Sequence, residues 1–442
     1  MKPVLPTQAF KIIKALQKEG YSCFAVGGSV RGLLLGRKTS GWDFTTSAKP
    51  EEILKIFPGG FYDNKFGTVG LPIEDDVFEI TTFRTEKRYS DKRHPDKVQW
   101  GSTIEEDLKR RDFTINAIAF DGEKLIDPHG GITDLKKKIV RAVGDPNLRF
   151  SEDALRLIRA IRIATEIGFV VEKETANAIK ANTRLLQNVS NERIRDELLK
   201  ILRSNHPADG ILLLKEHLLL LPILPELEIA FNIPQKSPKR HHIYDVGTHS
   251  VESLRNCKST DPIVRLATLL HDIGKPKTFK KEKDGMVTFY NHEVEGTSMV
   301  INIAKRLRLS RKDTGRLILL VRWHQFSVDP SQTDATLRRF IKKVGKENLN
   351  DILALRTGDR LGGGAAETSW RLELFKKRLI EVQKQPFTVS DLKVNGHDVM
   401  NLLKIKPGPQ IGKILNQLFE EVVEKKLENK KEILLQEIPK LA

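Results

Sequence analysis

The sequence predicts an α+β fold in which a small mixed α/β head precedes a long all-α body. Short apolar runs bounded by glycines and turn residues, the pattern of β-strands, are confined to the first 145 residues. From Phe150 onward apolar residues recur at helical spacing, and strand patterns nearly vanish. At 442 residues the chain is also too long for one ordinary core, which suggests roughly three domains of typical size.

Further patterns subdivide the head. An apolar run at 22–28 ends in glycines, and the runs at 66–73 and 77–84 have the length, composition and spacing of a β-hairpin. The polar stretch between Arg84 and Thr103 predicts a mobile loop.

Proline- and glycine-rich stretches divide the body. Residues 233–242 place two prolines among basic side chains and predict a linker. A second helical unit is expected from about Tyr244 to Leu361, because the glycines at 362–364 interrupt the helical pattern. The Lys/Glu-rich tail is predicted as helices that break at 407-PGP-409.

The charge of the chain indicates a polyanionic partner. Lys and Arg number 75 against 58 Asp and Glu, which gives a net charge of +17. Hydrophobic residues make up 39% of the chain, enough for real cores, and this excludes a disordered protein. Composition alone leaves RNA, DNA and free nucleotides as alternative partners.

The sequence predicts a cytoplasmic protein with no membrane partner. Its longest apolar runs, such as 218-LLLLPIL-224, are far shorter than the roughly 20 residues of a membrane span. No basic stretch followed by an apolar block opens the chain. Two cysteines, Cys23 and Cys257, cannot build a disulfide framework. No oligomeric state is predicted.

A glycine-rich turn in the head has the features of a phosphate-binding loop. The apolar run ends at Gly27-Gly28, and a short helix carrying Arg31 then begins. Glycines let the backbone approach a polyanion, the helix N-terminus offers free N–H groups, and arginine adds a fork of donors. A plain turn is the alternative.

Two acidic residues in strand-like runs are candidate metal ligands. Asp43 lies in one such run, and Glu79 lies in another whose neighbours Val77, Phe78 and Ile80 are apolar. A carboxylate in a buried strand is costly unless it is paired or binds a metal. Carboxylates on adjacent strands near a phosphate loop suit Mg²⁺-assisted phosphoryl transfer, with a salt-bridged strand residue as the alternative.

A set of charges follows on a helix predicted for 150–169, with Ser151 as its N-cap. The charges recur every three residues at Asp153, Arg156, Arg159 and Arg162. A carboxylate accepts from an exocyclic amine and a guanidinium donates to a ring acceptor, so an Asp-Arg pair can select C and A over G and U. An i,i+3 salt bridge on a solvated face is the alternative.

Histidines and aspartates recur through the second helical unit. Such side chains on successive helices can converge on one or two divalent transition metals, and a pair of ions activates water for phosphoester hydrolysis. The six candidates are His249, His271, Asp272, His292, His324 and Asp359. Packing or capping is the alternative role for each histidine.

The ordered motifs resemble those of class II tRNA nucleotidyltransferases, the CCA-adding enzymes and their poly(A) polymerase relatives, within the polymerase-β-type superfamily. In chain order they are 26-VGGSVRGLLLGR-37, 42-WDFTT-46, 110-RRDFTINAIA-119, 127-DPHGG-131, 152-EDALRLIRAIR-162 and the neck motif 188-NVSNERIRDEL-198. The order H…HD…H…H…D in the body is similar to that of the HD phosphohydrolase superfamily.

The resemblance implies a polymerase-β-type head at 1–145 and a helical neck with base-selecting and tRNA-binding motifs at 146–232. It also implies an HD metal-dependent phosphohydrolase domain at 233–365 and a helical tRNA-binding tail at 366–442. Asp43 and Glu79 would be catalytic, with Mg²⁺ on Asp43. The residues implied for nucleotide binding are Gly28, Arg31, Arg111, Asp112, Asn116, Asp153, Arg156, Arg159 and Arg162.

The chain departs from the family pattern at two glycines. Gly41 stands where the family carries the first residue of an Asp-x-Asp pair, and Gly32 stands where it usually has Asp. Either Asp43 and Glu79 suffice to hold the metal, or nucleotide addition is weak or absent.

The resemblance implies an enzyme that adds C and A to the tRNA 3′ end from CTP and ATP without a nucleic-acid template, with a phosphohydrolase activity in the HD domain. A poly(A) polymerase or A-only adding enzyme of the same fold is one alternative. An HD phosphohydrolase with a disabled transferase head is the other.

Overall fold

The computed structural model describes residues 3–39, 41–62, 67–74, 76–87, 97–101, 103–235, 244–326, 329–383, 389–424 and 426–441. The chain divides into two compact units, Met1–Asn232 with Asn302–Ser310 (unit 1) and Ile233–Ile301 with Arg311–Ala442 (unit 2). Within the described ranges, no helix is long and apolar enough to cross a membrane. Cys23 and Cys257 are both buried and free.

The first part of unit 1 contains a mixed sheet and a separate two-stranded ribbon, β6 with β7. Its strands are β1 (Cys23–Val26), β2 (Asp43–Thr46), β3 (Phe61–Tyr62), β4 (Thr68–Ile73), β5 (Asp76–Thr82), β6 (Arg84–Lys87), β7 (Lys97–Trp100), β8 (Ala119–Phe120) and β9 (Leu125–Ile126). Seven of them form one sheet in the order β3-β4-β5-β2-β1-β8-β9. Only β2 and β5 run parallel within that sheet, and β4 and β5 form the predicted hairpin.

Helices cover the sheet and then build the rest of unit 1. The helices beside the sheet are α1 (Thr7–Lys18), α2 (Gly27–Leu34), α3 (Pro50–Ile56), α4 (Ile104–Lys109) and α5 (Gly131–Lys137). The helices that follow are α6 (Pro146–Glu152), α7 (Leu155–Ile167), α8 (Lys173–Asn182), α9 (Asn191–Arg203), α10 (Pro207–Glu216), α11 (Leu220–Ile223) and α12 (Pro225–Ala230). Two short parallel strands, β10 (Ile139–Val140) and β11 (Val170–Val171), lie among them.

The part of unit 2 that the structure describes is helical apart from one two-stranded ribbon, β12 (Lys280–Lys281) with β13 (Val287–Thr288). Its first helices are α13 (Val246–Arg255), α14 (Pro262–Leu270), α15 (Lys275–Thr278), α16 (His292–Arg306) and α17 (Arg311–Trp323). The last residues of α16, 302–306, belong to unit 1. Its later helices are α18 (Asp334–Val344), α19 (Leu349–Gly362), α20 (Trp370–Gln383), α21 (Gly396–Leu403), α22 (Pro409–Val423) and α23 (Lys431–Glu437). The predicted mixed head and all-α body are confirmed.

Two local predictions are corrected by the fold. The stretch after Arg84 is not all loop, because β6 and β7 pair in antiparallel fashion at its two ends. The remainder of that prediction, at 88–96 and 102, lies outside the described residues. Residues 236–242 of the linker predicted at 233–242 also lie outside them.

The helix predicted from Ser151 is interrupted. Asp145 caps α6 by accepting from the Asn147 N–H, with Pro146 in the first helical position, so Ser151 falls inside α6. Asp153 then adopts an extended conformation, and α7 starts two residues later. The break places Asp153 between two helices instead of on a helix face.

Helix α7 supplies much of the core of unit 1. Leu157, Ile158 and Ile161 are completely buried, and the helix packs against α9 and α10. Burial of whole aliphatic side chains is the largest stabilising contribution available to such a helix.

We expect Ile158→Ala to lower the free energy of unfolding by about 2–5 kcal/mol, because it removes buried methyl groups and leaves a cavity. The matched change Ile229→Ala, at a side chain that is 56% exposed, should cost less than about 0.5 kcal/mol. Chemical denaturation of both variants provides the comparison, and equal losses would contradict the central position of α7.

Candidate active sites in the two units

The glycine-rich turn of the head brings three functional groups together. Gly27 has a φ of +74°, a left-handed conformation that favours glycine. A Cβ atom there would lie 3.3 Å from both Arg111 Nη1 and Asp43 Oδ2, so the missing side chain lets both groups approach the turn. The nearby Arg31, in the middle of α2, donates to the side-chain oxygen Oδ1 of Asn116.

Asp43 and Glu79 lie side by side on the sheet. They are paired in register on the parallel strands β2 and β5, so their side chains leave the same face. The expectation that Glu79 occupies a buried strand is wrong, because β5 buries Phe78 and Ile80 and exposes Val77 and Glu79. Both carboxylates therefore face solvent, where a cation and its water ligands can reach them.

The surroundings of Asp43 shift the pKa of its carboxyl group. Although the residue is exposed, the nearby protein partly desolvates the carboxyl group and raises its pKa, while the charges of Arg111 and Arg159 oppose that rise. Asp43 thus lies next to the charges of Arg111 and Arg159 on an exposed face of the sheet. A carboxylate with neighbouring guanidinium groups suits an anionic substrate that is accompanied by a cation.

Gly41 precedes β2 and has a φ of +69°. A Cβ atom at this position would have no neighbour within 4 Å. The space for the missing family carboxylate is therefore present, and Asp is among the residues that tolerate this backbone conformation best. At Gly32, by contrast, a Cβ would lie 2.2 Å from the Thr39 methyl group.

Buried carboxylates hold several arginines of the head and neck. Asp107 is completely buried and binds Arg110 at 2.6 Å and Arg111 at 3.1 Å. Asp112 binds Arg159 at 2.8 Å and also accepts from Asn116 Nδ2 at 3.0 Å. Burial alone would raise the pKa of Asp112, but Arg159 and the hydrogen bonds outweigh it and lower the pKa to about 2.

Asp153 and Arg156 do not pair with each other. Asp153 accepts two hydrogen bonds from Arg193 of α9, at 3.1 and 2.7 Å. Arg156 donates to Glu152 at 2.7 Å and to the backbone oxygens of Arg149 and Arg110. The simple i,i+3 salt bridge is therefore wrong, and each of the two side chains is oriented by a different partner.

Arg162 is bound to two carboxylates, Glu166 at 2.7 Å and Glu197 at 2.5 Å. Neither Arg193 nor these glutamates were identified as functional residues from sequence. The only signal was that Arg193 and Glu197 belong to the 188–198 motif, whereas Glu166 lies outside the motifs. Side-chain spacing cannot reveal pairs between distant helices.

The six His and Asp candidates of unit 2 converge on one centre. Asp272 Oδ2 lies 3.3 Å from His271 Nε2 and 3.5 Å from His249 Nε2. Its other oxygen lies 3.2 Å from His292 Nε2 and 3.7 Å from His324 Nε2. Asp359 Oδ1 lies 3.2 Å from His249 Nε2. The described side chains thus form two groups that share Asp272 and could each hold a cation.

Backbone oxygens fix the orientation of three of these imidazoles. The Nδ1 atoms of His271, His292 and His324 lie 2.7–2.8 Å from the carbonyl oxygens of residues three positions earlier. Each Nε2 atom is then directed at the centre, as in metal-binding histidines. Burial would lower the pKa of His271, but Asp272 and Asp359 outweigh it and raise the pKa to about 10. A divalent cation would replace that proton.

Close packing positions the two halves of the centre. Gly274 follows the His-Asp pair, and a Cβ there would lie 2.1 Å from the backbone oxygen of His292 at the start of α16. Lys275 is buried and binds Asp272 at 2.6 Å, while Arg356 binds Asp359 at 3.0 Å. Both cations line a cavity of about 370 Å³ over the centre (the HD cavity). Sequence reasoning missed these two residues, although Lys275 closely follows the His-Asp pair.

Family models match most of the chain. They are described as the poly A polymerase head domain (residues 23–141), the probable RNA and SrmB-binding site of polymerase A (168–231), the HD domain (241–356) and the putative tRNA nucleotidyltransferase domain 2 (299–438). A CCA-adding enzyme of Ligilactobacillus salivarius is 34% identical, over 98% of this chain and 96% of its own. The chain belongs to the tRNA nucleotidyltransferase family.

Other members of the tRNA nucleotidyltransferase family agree with this assignment. An A-adding tRNA nucleotidyltransferase of Deinococcus radiodurans is 34% identical over 89% of this chain and 90% of its own. The crystal structure of the Bacillus stearothermophilus CCA-adding enzyme in complex with CTP matches with a TM-score of 0.70 and 28% identity, over 100% of this chain and 98% of that one. The Thermotoga maritima CCA-adding enzyme complexed with tRNA shares the fold, at a TM-score of 0.59 and 21% identity over 99% of this chain and 96% of that one.

The nucleotidyltransferase and HD domains of this family imply the use of divalent metals, and the residues present fit that requirement. We expect Asp272→Asn to lose bound divalent metal, because this carboxylate belongs to both groups of the centre. Metal content after dialysis, measured by plasma mass spectrometry, provides the check. Asp284→Asn, an exposed change in the same unit, is the matched control, and equal metal content in both variants would contradict the shared-ligand geometry.

Proposed function

We propose that the chain is a tRNA nucleotidyltransferase that adds C and A to the tRNA 3′ end from CTP and ATP without a nucleic-acid template. The observation that carries this proposal is a cluster of residues in unit 1, which combines a glycine turn, two carboxylates on neighbouring strands and arginines held by buried carboxylates. The full-length similarity to CCA-adding enzymes supports the same conclusion.

In this reaction the terminal tRNA hydroxyl attacks the α-phosphorus of the nucleotide. The new P–O bond forms as the bond to the β-phosphate breaks, and pyrophosphate leaves. Gly28, Arg31 and Arg111 would bind the triphosphate through backbone and guanidinium donors. Asp43 and Glu79 would hold Mg²⁺, which lowers the pKa of the attacking hydroxyl and neutralises developing charge.

Base selection is proposed for Asp153 and Arg156. Asp153 supplies acceptor oxygens and Arg156 supplies donors, the combination that C and A share on their pairing edges. The forked bond from Arg193 fixes the carboxylate of Asp153, and the backbone bonds of Arg156 fix its guanidinium. Two rigidly held groups can act as a template made of protein.

Unit 2 would add a second, hydrolytic activity. We propose a pair of divalent transition metals at the His/Asp centre, with Lys275 and Arg356 binding the phosphate of the substrate in the HD cavity. Asp272→Asn should abolish phosphate-ester hydrolysis and leave CCA addition intact, which separates the two activities. The neck and the basic tail are proposed to bind the tRNA backbone.

The first test of the transferase compares Asp43→Asn with the unchanged protein. We expect the rate of nucleotide addition to fall about a hundredfold or more, because the variant cannot hold the cation. Purified protein, Mg²⁺, CTP, ATP and labelled tRNA lacking its CCA end provide the assay. Asp76→Asn, at an exposed position of β5, is the matched control.

Product length in the same assay separates the alternatives. Three added nucleotides support the proposal, one indicates an A-only adding enzyme, and a long tail indicates a poly(A) polymerase.

Gly41→Asp should lower the Mg²⁺ concentration needed for half the maximal rate, since it places a further carboxylate beside Asp43. Extension only after Gly41→Asp would show a disabled head, and the HD centre would then be the working site.

A further prediction concerns base choice. Asp153→Ala should reduce addition and lose the preference for C and A over G and U, because the acceptor half of the proposed template is removed. Incorporation from each of the four nucleotides is measured, with circular dichroism to confirm folding and Asp209→Ala as the control. Unchanged selectivity would disprove the role of Asp153.

A further inference from the structure

The side chain of Asn116 connects two charged groups near the glycine turn of unit 1. Its Oδ1 atom accepts from Arg31 Nη1, and its Nδ2 atom donates to Asp112 Oδ1 at 3.0 Å. Both ends of the amide are therefore occupied by protein groups. Asn116 is 6% exposed and Asp112 is 8% exposed, so these contacts lie inside unit 1.

Asp112 extends this chain of contacts to a second arginine. Its Oδ1 atom also accepts from the Phe113 N–H at 2.8 Å, and its Oδ2 atom lies 2.8 Å from Arg159 Nη2 in an ion pair. Arg31 belongs to α2 beside the sheet, and Arg159 belongs to α7 in the helical part that follows. An amide suits the middle of such a chain, because it offers one acceptor and one donor at the same length.

The two connected guanidinium groups lie in a region of concentrated positive charge. Burial and the charges of Arg162 and Arg159 together lower the pKa of Arg31, although nearby carboxylates oppose the shift. The Nε atoms of Arg31 and Arg159 are buried and have no hydrogen-bond partner among the described residues. A Cβ atom at Gly28 would lie 3.8 Å from Arg31 Nη2, so this guanidinium also adjoins the glycine turn. Like charges held together in this way favour a bound anion.

The turn that carries Asn116 is supported by α5. The amide belongs to a 3₁₀ turn at Thr114–Asn116, in which Thr114 Oγ1 donates to Asp134 at 2.7 Å. At Gly131 a Cβ atom would lie 2.2 Å from the Thr114 backbone oxygen, so the turn and the start of α5 are in close contact. A side chain on a supported turn can hold its partners in one geometry.

We propose that Asn116 is a positioning residue for the triphosphate of the incoming nucleotide, and that it acts through the guanidinium groups of Arg31 and Arg159. The resemblance implied that Asn116 binds the nucleotide, but an amide with both ends occupied by protein groups orients the donors around the anion instead. Donors that are already oriented bind more tightly, because less freedom is lost on binding. This inference rests on the triphosphate site proposed above for Arg31 and adds Arg159 to it.

The test uses inorganic tripolyphosphate, an anion without a base or a sugar, as a competitor of CTP in the addition assay with Mg²⁺ in excess. We expect Asn116→Ala to raise its inhibition constant, and the KM for CTP and for ATP, about tenfold each, the effect of losing one hydrogen bond to a charged group. The preference for C and A over G and U and the KM for tRNA should not change, because other residues bind the base and the tRNA.

Thr114→Val is the matched control, since it removes a buried hydrogen bond of the same turn that is directed at Asp134. It should lower the free energy of unfolding and leave the inhibition constant unchanged. An equal rise in both variants would show a general loosening of the turn and overturn the proposal, as would an unchanged constant in Asn116→Ala. Asn116→Ser, whose shorter side chain cannot reach both partners, should give the same rise and replaces Asn116→Ala if circular dichroism shows that the latter is unfolded.

A double-mutant comparison separates this inference from the proposed triphosphate site. In an Arg31→Ala background, Asn116→Ala should raise the inhibition constant only about twofold further, because one of its two partners is already gone. A further tenfold rise would overturn the action through Arg31. An unchanged constant in Arg31→Ala alone would refute the triphosphate site itself and, with it, the inference.

Binding alone decides the case in which the unchanged protein adds no nucleotide. Calorimetric titration of the full chain with CTP then replaces the inhibition constant. Binding that Asn116→Ala weakens and Thr114→Val does not supports the inference without the transferase activity. Binding that is equal in all three proteins overturns it.

Discussion

Pairing of buried charge is the constraint on which both centres depend. Asp107 and Asp112 in the head are held by arginines, and Asp272 in unit 2 is held by Lys275 and histidines. Removing one partner of such a pair leaves an uncompensated charge, which costs about 3–5 kcal/mol. Each functional group is therefore held in place by the same interactions that make its burial possible.

The two centres use carboxylates in opposite ways. In the head, Asp43 and Glu79 lie on the open face of a sheet, where large substrates can reach a cation held between two strands. In unit 2, Asp272 is almost fully buried among imidazoles, and Lys275 and Arg356 line the cavity of about 370 Å³ over the centre. The head thus suits a nucleic acid and a triphosphate, and the HD centre suits a single phosphate group.

Sequence reasoning succeeded where the determining interactions are local. The β4–β5 hairpin, the neighbouring strands of Asp43 and Glu79 and the order of the HD ligands follow from spacing and residue type. It failed where partners lie far apart in the chain. Arg193 is 40 residues from Asp153, and only the fold brings them together. It also placed Asp153 inside a helix, because the Asp145 cap that starts α6 was not recognised.

The glycine after the His-Asp pair has a consequence for the precision of the HD centre. At Gly274 the turn after α14 touches the carbonyl of His292, leaving no room for even one methyl group. Accommodating that methyl would push the first residue of α16 away by close to an ångström, several times the ~0.2 Å within which metal–ligand distances are normally kept. One hydrogen atom in place of a carbon atom therefore sets the separation between the half of the centre that contains His271 and the half that contains His292.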